Sequence, residues 1–174
     1  PKELFGPDRQ TAYQNIVQAV IDVRQTIDLA ETLPELRTDD GVFLAGYSMG
    51  SWIGTLAGAA DRRVKAMVLM VGGSAAVTAD KLEDETPGLP DRLNLVHHYE
   101  VLQHNRAIAK FSPRPILMLN GEKDLLVPRV RTEALYRAAG APKELRWYDS
   151  GHLLPAKAYN EGAEWLLEQL KRAR

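Results

Sequence analysis

Residues 42–60 read Val-Phe-Leu-Ala-Gly-Tyr-Ser-Met-Gly-Ser-Trp-Ile-Gly-Thr-Leu-Ala-Gly-Ala-Ala, and no other stretch limits the fold as tightly. An apolar run, a G-x-S-x-G core and a run of small residues spell a strand, a sharp turn and a helix. In that context the serine sits on a strand-to-helix elbow of the kind that presents a nucleophile. Gly46 and Gly50 are expected to leave room on either side of a strained Ser48. The turn lifts the Ser48 hydroxyl clear of the sheet. It also sets the Met49 N–H at a helix N-terminus, where negative charge is favoured. The bland alternative, an ordinary turn serine, does not account for the strand before and the helix after.

The rest of the chain alternates in the same way. Tyr13, Ile16, Val17, Val20, Ile21, Val23 and Ile27 recur at helical spacing, which predicts an amphipathic helix from Asp8 to about Ala30. Gly50, Gly54 and Gly58 fall on one face of the post-elbow helix and predict its close approach to a strand. Val64 to Val71 is nearly all apolar, as a parallel strand buried on both faces must be. A polar, Pro-containing stretch then runs to Pro90, and Asp91 to Lys110 has a helical pattern. Ile116 to Asn120 predicts a third strand. Pro128 and Gly140 bracket a helix over 129–139. Leu145 to Tyr148 predicts a fourth strand, and a last helix starts at about Lys157.

Strands alternating with helices argue for an α/β fold: a three-layer sandwich around a mostly parallel sheet with right-handed crossovers. The whole chain, 1–174, is expected to be one domain, with about 74–112 an excursion between strands. In such sheets the chemistry gathers at the carboxyl ends of the strands. Ser48 follows the first strand, Asp124 the third and His152 the fourth. Glu122 and Asp149 lie close enough in sequence to compete with Asp124 for a place beside the histidine. His97, Glu100 and His104 share a helical face, but no further ligand accompanies them and no metal site is expected.

Composition removes several function classes. The 174 residues carry a formal net charge of −1, so there is no electrostatic case for nucleic acid or an anionic membrane. No apolar run approaches the roughly 20 residues that span a bilayer. There is no cysteine, which excludes disulfides, thiolate metal sites and a thiol nucleophile.

Three motifs then stand in order: Gly-Tyr-Ser-Met-Gly, Pro-Arg-Pro-Ile-Leu-Met-Leu-Asn-Gly-Glu-Lys-Asp-Leu-Leu-Val-Pro, and Ser-Gly-His-Leu-Leu-Pro. Together they make the chain resemble the carboxyl-terminal two-thirds of an α/β-hydrolase, in the serine esterase and dienelactone-hydrolase-like branch. Dienelactone hydrolases proper use cysteine, so the ester-hydrolase members are the nearer comparison. The resemblance implies Ser48 as nucleophile, His152 as general base and Asp124 as the group that orients it. It also implies a small-molecule carboxylic ester as substrate, cleaved through an acyl-serine, with no metal or organic cofactor.

Met49 N–H is the expected oxyanion donor. Trp52, Leu125 and Leu153 flank the three positions and are expected to line a substrate pocket, with core packing the alternative for each. The family's chains are longer, and the loop that brings a second oxyanion N–H has no counterpart here. The amino-terminal strands are therefore expected to lie outside this chain, with the Val42–Tyr47 strand at an edge that pairs with an upstream segment or another chain. Two other functions fit the same residues: a non-catalytic or partner-dependent half of a hydrolase, and a serine peptidase or acyltransferase.

Overall fold

A computed structural model describes residues 9–74 and 103–173. Within them the chain runs α1 (Arg9–Thr32), β1 (Val42–Tyr47), α2 (Met49–Ala60), β2 (Val64–Met70), α3 (His104–Phe111), β3 (Ile116–Gly121), α4 (Arg129–Ala138), β4 (Lys143–Tyr148) and α5 (Ala156–Ala173). The four strands form one sheet in the order β1-β2-β3-β4, and each neighbouring pair is parallel. Sequential order is what parallel strands with same-handed helical crossovers produce.

Strand periodicity divides the core in two. Met67 and Leu69 of β2 and Ile116 and Met118 of β3 share one face with Ile27, Ile108, Phe111 and Leu135 of the helices. Ala66, Val68, Leu117 and Leu119 point the other way, against Leu154, Ala158 and Trp165. β2 and β3 are thus apolar on both sides because both sides are covered. The helix α1 lies on α2, where Tyr13, Val17 and Val20 pack around Ile16 and Leu56. Ile27 joins the main core, whereas Ile21 is 39% exposed.

Several expectations need adjustment. The glycine stripe on α2 does not act as one surface. A Cβ at Gly58 would run into the Met67 sulfur, so this helix does approach β2 closely there. At Gly54 a Cβ would meet no described atom within 4 Å. The strand β2 ends at Met70 because Val71 turns the chain with φ of 45°, a left-handed angle that a β-branched residue rarely adopts. The strand β4 starts at Lys143, earlier than its apolar residues suggest. The Lys143 ammonium donates to the carbonyls of Tyr136 and Ala139, tying the strand start to the end of α4. Of the helix expected over 91–110, residues 91–102 lie outside the described residues, and so does most of the expected excursion. Among the described residues no helix is long and apolar enough to cross a membrane.

At the end of the sheet away from the strand carboxyl termini, Asp61 caps α2 and gathers an ion network. Arg63 donates to it at 3.0 and 2.6 Å, and Arg24 at 3.4 Å. The Arg63 hydrogen bonds hold the Asp61 carboxyl well below the ordinary range.

Candidate active site

Ser48 occupies the single residue between β1 and α2, with φ 51° and ψ −110°. This conformation is strained for any residue with a side chain and persists only where the surroundings hold it. They do so on both sides. The Ser48 N–H donates to the Met70 carbonyl at 2.9 Å, continuing the sheet ladder. Its carbonyl accepts from the N–H groups of Ser51 at 3.0 Å and Trp52 at 3.3 Å, the first bonds of α2. The buried Ser51 hydroxyl lies 2.8 Å from the Gly46 carbonyl and 2.7 Å from that of Met70, pinning the elbow to the sheet.

The two elbow glycines are not equivalent. A Cβ at Gly46 would come within 2.6 Å of the Gly50 carbonyl carbon and 2.7 Å of the Ser51 nitrogen. Gly46 is therefore required by the close approach of α2. Gly50 is exposed, and a Cβ there would meet no described atom within 4 Å, so the expected steric need for Gly50 is not found.

Asp124 stands in the loop after β3, and 6% of its surface is exposed. One carboxylate oxygen accepts from the N–H groups of Leu126 at 2.8 Å and Val127 at 3.0 Å. The other lies 2.8 Å from His152 Nδ1. The opposite ring nitrogen, Nε2, lies 2.9 Å from Ser48 Oγ. Neither rival carboxylate takes this position: Asp149 pairs with Lys123 at the surface, and Glu122 is exposed. The loops carrying Asp124 and His152 are themselves joined, Glu122 N–H to the Tyr148 carbonyl and Lys123 N–H to that of Ser150, both at 2.9 Å.

Tyr47, the first of the two variable residues of the elbow motif, has a part that its sequence position does not announce. Its hydroxyl donates to the backbone carbonyl of His152, 105 residues along the chain. Its ring meets the imidazole edge-on with centroids 5.9 Å apart and stacks on Tyr159 at 6.0 Å. Burial, then the Tyr159 hydroxyl, pushes the Tyr47 phenol up from its ordinary value, so it remains a neutral donor.

Ser48, Met49 and His152 share a cavity of about 130 Å³ with Trp52, Gly73, Leu126, Val127 and Arg131. Of the residues expected to line a pocket, Trp52 borders this cavity, while Leu125 and Leu153 are 85% and 79% exposed and do not border it. In the turn closed by Asp124, Leu126 and Val127 border it instead, Val127 half-buried and Leu126 at the rim with 66% of its surface exposed. Gly73 and Arg131 carry no sequence signal that would have singled them out. Met49 N–H opens α2 beside Ser48, and no acceptor for it is present among the described residues.

Of the residues considered for a metal, His97 and Glu100 lie outside the described residues. His104 is buried and packs against Trp52, with ring centroids 4.8 Å apart. Chemically, the arrangement is a hydroxyl, an imidazole and a carboxylate in one hydrogen-bonded line, with a backbone donor at a helix N-terminus next to the hydroxyl. Such a set can move a proton off the hydroxyl as it attacks an electrophilic carbon.

Comparison with known proteins agrees with this architecture. The family model described as Serine hydrolase (FSH1) matches residues 39–163. No curated protein matches the chain. Among solved structures it is similar to acetyl xylan esterase 1 from Thermoanaerobacterium sp., with a TM-score of 0.66 and 19% identity over 86% of this chain and 52% of that one. It is also similar to Est1E from Butyrivibrio proteoclasticus, with a TM-score of 0.67 and 18% identity over 90% of this chain and 71% of that one. A third is TT1662 from Thermus thermophilus, with a TM-score of 0.71 and 20% identity over 98% of this chain and 70% of that one. The chain thus spans about half the length of the acetyl xylan esterase chain. At these identities the likeness is one of fold, and the fold is that of the α/β-hydrolases.

Proposed function

Since the chain belongs to the FSH1 serine hydrolase family, we propose that it cleaves carboxylic esters through an acyl-Ser48 intermediate. The observation that carries this reading is the line from Ser48 Oγ to His152 Nε2 at 2.9 Å and from His152 Nδ1 to Asp124 Oδ2 at 2.8 Å. Ser48 is a weak nucleophile until a base takes its proton. His152 Nε2 takes it as Oγ bonds to the ester carbonyl carbon. The Asp124 carboxylate, anchored at its other oxygen by two backbone N–H groups, keeps the Nδ1–H tautomer and stabilises the imidazolium. The tetrahedral oxyanion turns toward the Met49 N–H. His152 then returns the proton to the departing alcohol. Water, deprotonated by the same imidazole, releases the acid and restores Ser48.

The reading extends to the outer edge of β1. Among the described residues this strand pairs with β2 alone, and its apolar Phe43 and Leu44 are only partly buried. A further strand, from an upstream segment or another chain, pairs along Val42–Tyr47 and brings the second oxyanion N–H with it. An apolar strand edge left open is a template for pairing.

The test is a fluorophosphonate label on the full-length protein. It is expected on Ser48 in the wild type, and Ser48→Ala is expected to lower ester turnover by about 10⁶-fold with unchanged circular dichroism. Label on another serine, or turnover retained in Ser48→Ala, overturns the reading.

A further inference from the structure

One wall of the cavity beside Ser48 is held from several sides. The Trp52 indole N–H donates to the Gly73 carbonyl at 2.9 Å. Its ring packs on His104, which is 1% exposed. The segment that Trp52 grips is itself held. Val71 turns out of β2 with a left-handed backbone. The Gly72 carbonyl accepts from the Thr132 hydroxyl at 3.0 Å, and the Ser74 N–H donates to the Arg131 carbonyl at 2.9 Å. A Cβ at Gly73 would stand 2.8 Å from a Val127 methyl, so the two residues meet closely along this side of the cavity.

We infer that Trp52 sets the upper size of the acyl group, and that the substrates are esters of short aliphatic or single-ring acids. The inference rests on the reading of Ser48 as the acyl acceptor and adds the substrate class to it. The size follows from the volume. The cavity holds about 130 Å³, close to the roughly 150 Å³ of an engineered apolar cavity in another protein that takes benzene. An acyl group of about six carbons matches that volume. The lining from Trp52, Leu126 and Val127 favours hydrocarbon, and each buried methylene gains roughly fourfold in binding until the space is full. Beyond that point a close-packed wall penalises the excess. Arg131 also borders the cavity, so an acid group at the far end of the acyl chain is the competing possibility.

The experiment is a series of p-nitrophenyl esters from acetate to decanoate, with a monosuccinate included, on the full-length wild type, Trp52→Ala and Trp52→Phe. In wild type kcat/KM is expected to rise to a maximum no later than hexanoate and to fall about tenfold or more by decanoate. Trp52→Ala moves the maximum to octanoate or longer, and Trp52→Phe falls between. A wild-type maximum at octanoate or beyond overturns the inference, and so does an unmoved maximum in the variants. Preference for a terminal carboxylate over a methyl at equal length also overturns it, assigning selection to Arg131.

The rate of Ser48 labelling by alkyl fluorophosphonates of the same lengths separates the two claims. A length cut-off in labelling with no ester turned over keeps the cavity inference and removes the ester reading. No labelling at any length removes both.

Discussion

Tyr47→Phe isolates one hydrogen bond between the elbow and the histidine loop. The substitution keeps the ring, with its edge contact to His152 at 5.9 Å and its stack on Tyr159 at 6.0 Å. It removes only the hydroxyl that donates to the His152 carbonyl. A part-buried carbonyl left without its donor costs about 1–3 kcal/mol. For a chain of this size that is a fall in melting temperature of roughly 3–8 °C. The same bond fixes the height of the His152 backbone above the sheet, so its loss lets the imidazole drift from Ser48. A loss of about 1.4 kcal/mol in the transition state is tenfold in rate, and kcat is expected to fall by about that factor. KM should hold, because Tyr47 does not border the cavity.

The assay is kcat and KM on a short ester, measured well below the melting transition, together with the rate of Ser48 phosphonylation. Phosphonylation needs the same base and should slow in parallel. A lowered melting temperature with kcat and phosphonylation unchanged would refute the positioning argument and leave Tyr47 a structural residue. A raised KM with unchanged kcat would instead place Tyr47 against substrate.

Asp124→Asn should retain the fold, since its amide oxygen still accepts from Leu126 and Val127, yet lose about 10⁴-fold in kcat because the amide nitrogen imposes the wrong imidazole tautomer. Retained activity would remove Asp124 from the mechanism. Asp61→Asn tests the ion network at the other end of the sheet. The folded-state pKa of Asp61 is depressed, first by the Arg63 hydrogen bonds. Its stabilisation is therefore fully present above the ordinary aspartate pKa of about 3.9 and fades as pH falls below it. Urea unfolding should show the variant about 2 kcal/mol less stable at neutral pH, with the gap narrowing under acid; an equal gap at both pH values would contradict the assignment.

What could be read in the sequence was whatever is encoded locally. The apolar run before Gly46, the small residues after Gly50 and the Pro and Gly at helix ends each act through their own backbone. Hence the strands, the elbow and the Ser-Asp-His order were legible. So was the pairing order of the sheet, because a short-range rule of crossover handedness leaves few alternatives. The proximity of Ser48, Asp124 and His152 followed from the same rule, since each lies just past the carboxyl end of a parallel strand.

Contacts between distant segments were decided by the tertiary structure alone. Leu125 and Leu126 are the same residue type and both largely exposed, yet the turn closed on the Asp124 carboxylate brings only Leu126 to the rim of the cavity. Gly50 flanks Ser48 as Gly46 does, but the first turn of α2 covers Gly46, while Gly50, itself in that turn, would meet no described atom within 4 Å with an added Cβ. The Tyr47 hydroxyl finds the His152 carbonyl, and the Trp52 indole the Gly73 carbonyl, because the segments that follow β1, β2 and β4 gather at the same end of the parallel sheet. A side chain's hydrogen-bond partner is set by that three-dimensional register, and no periodicity along the chain carries it.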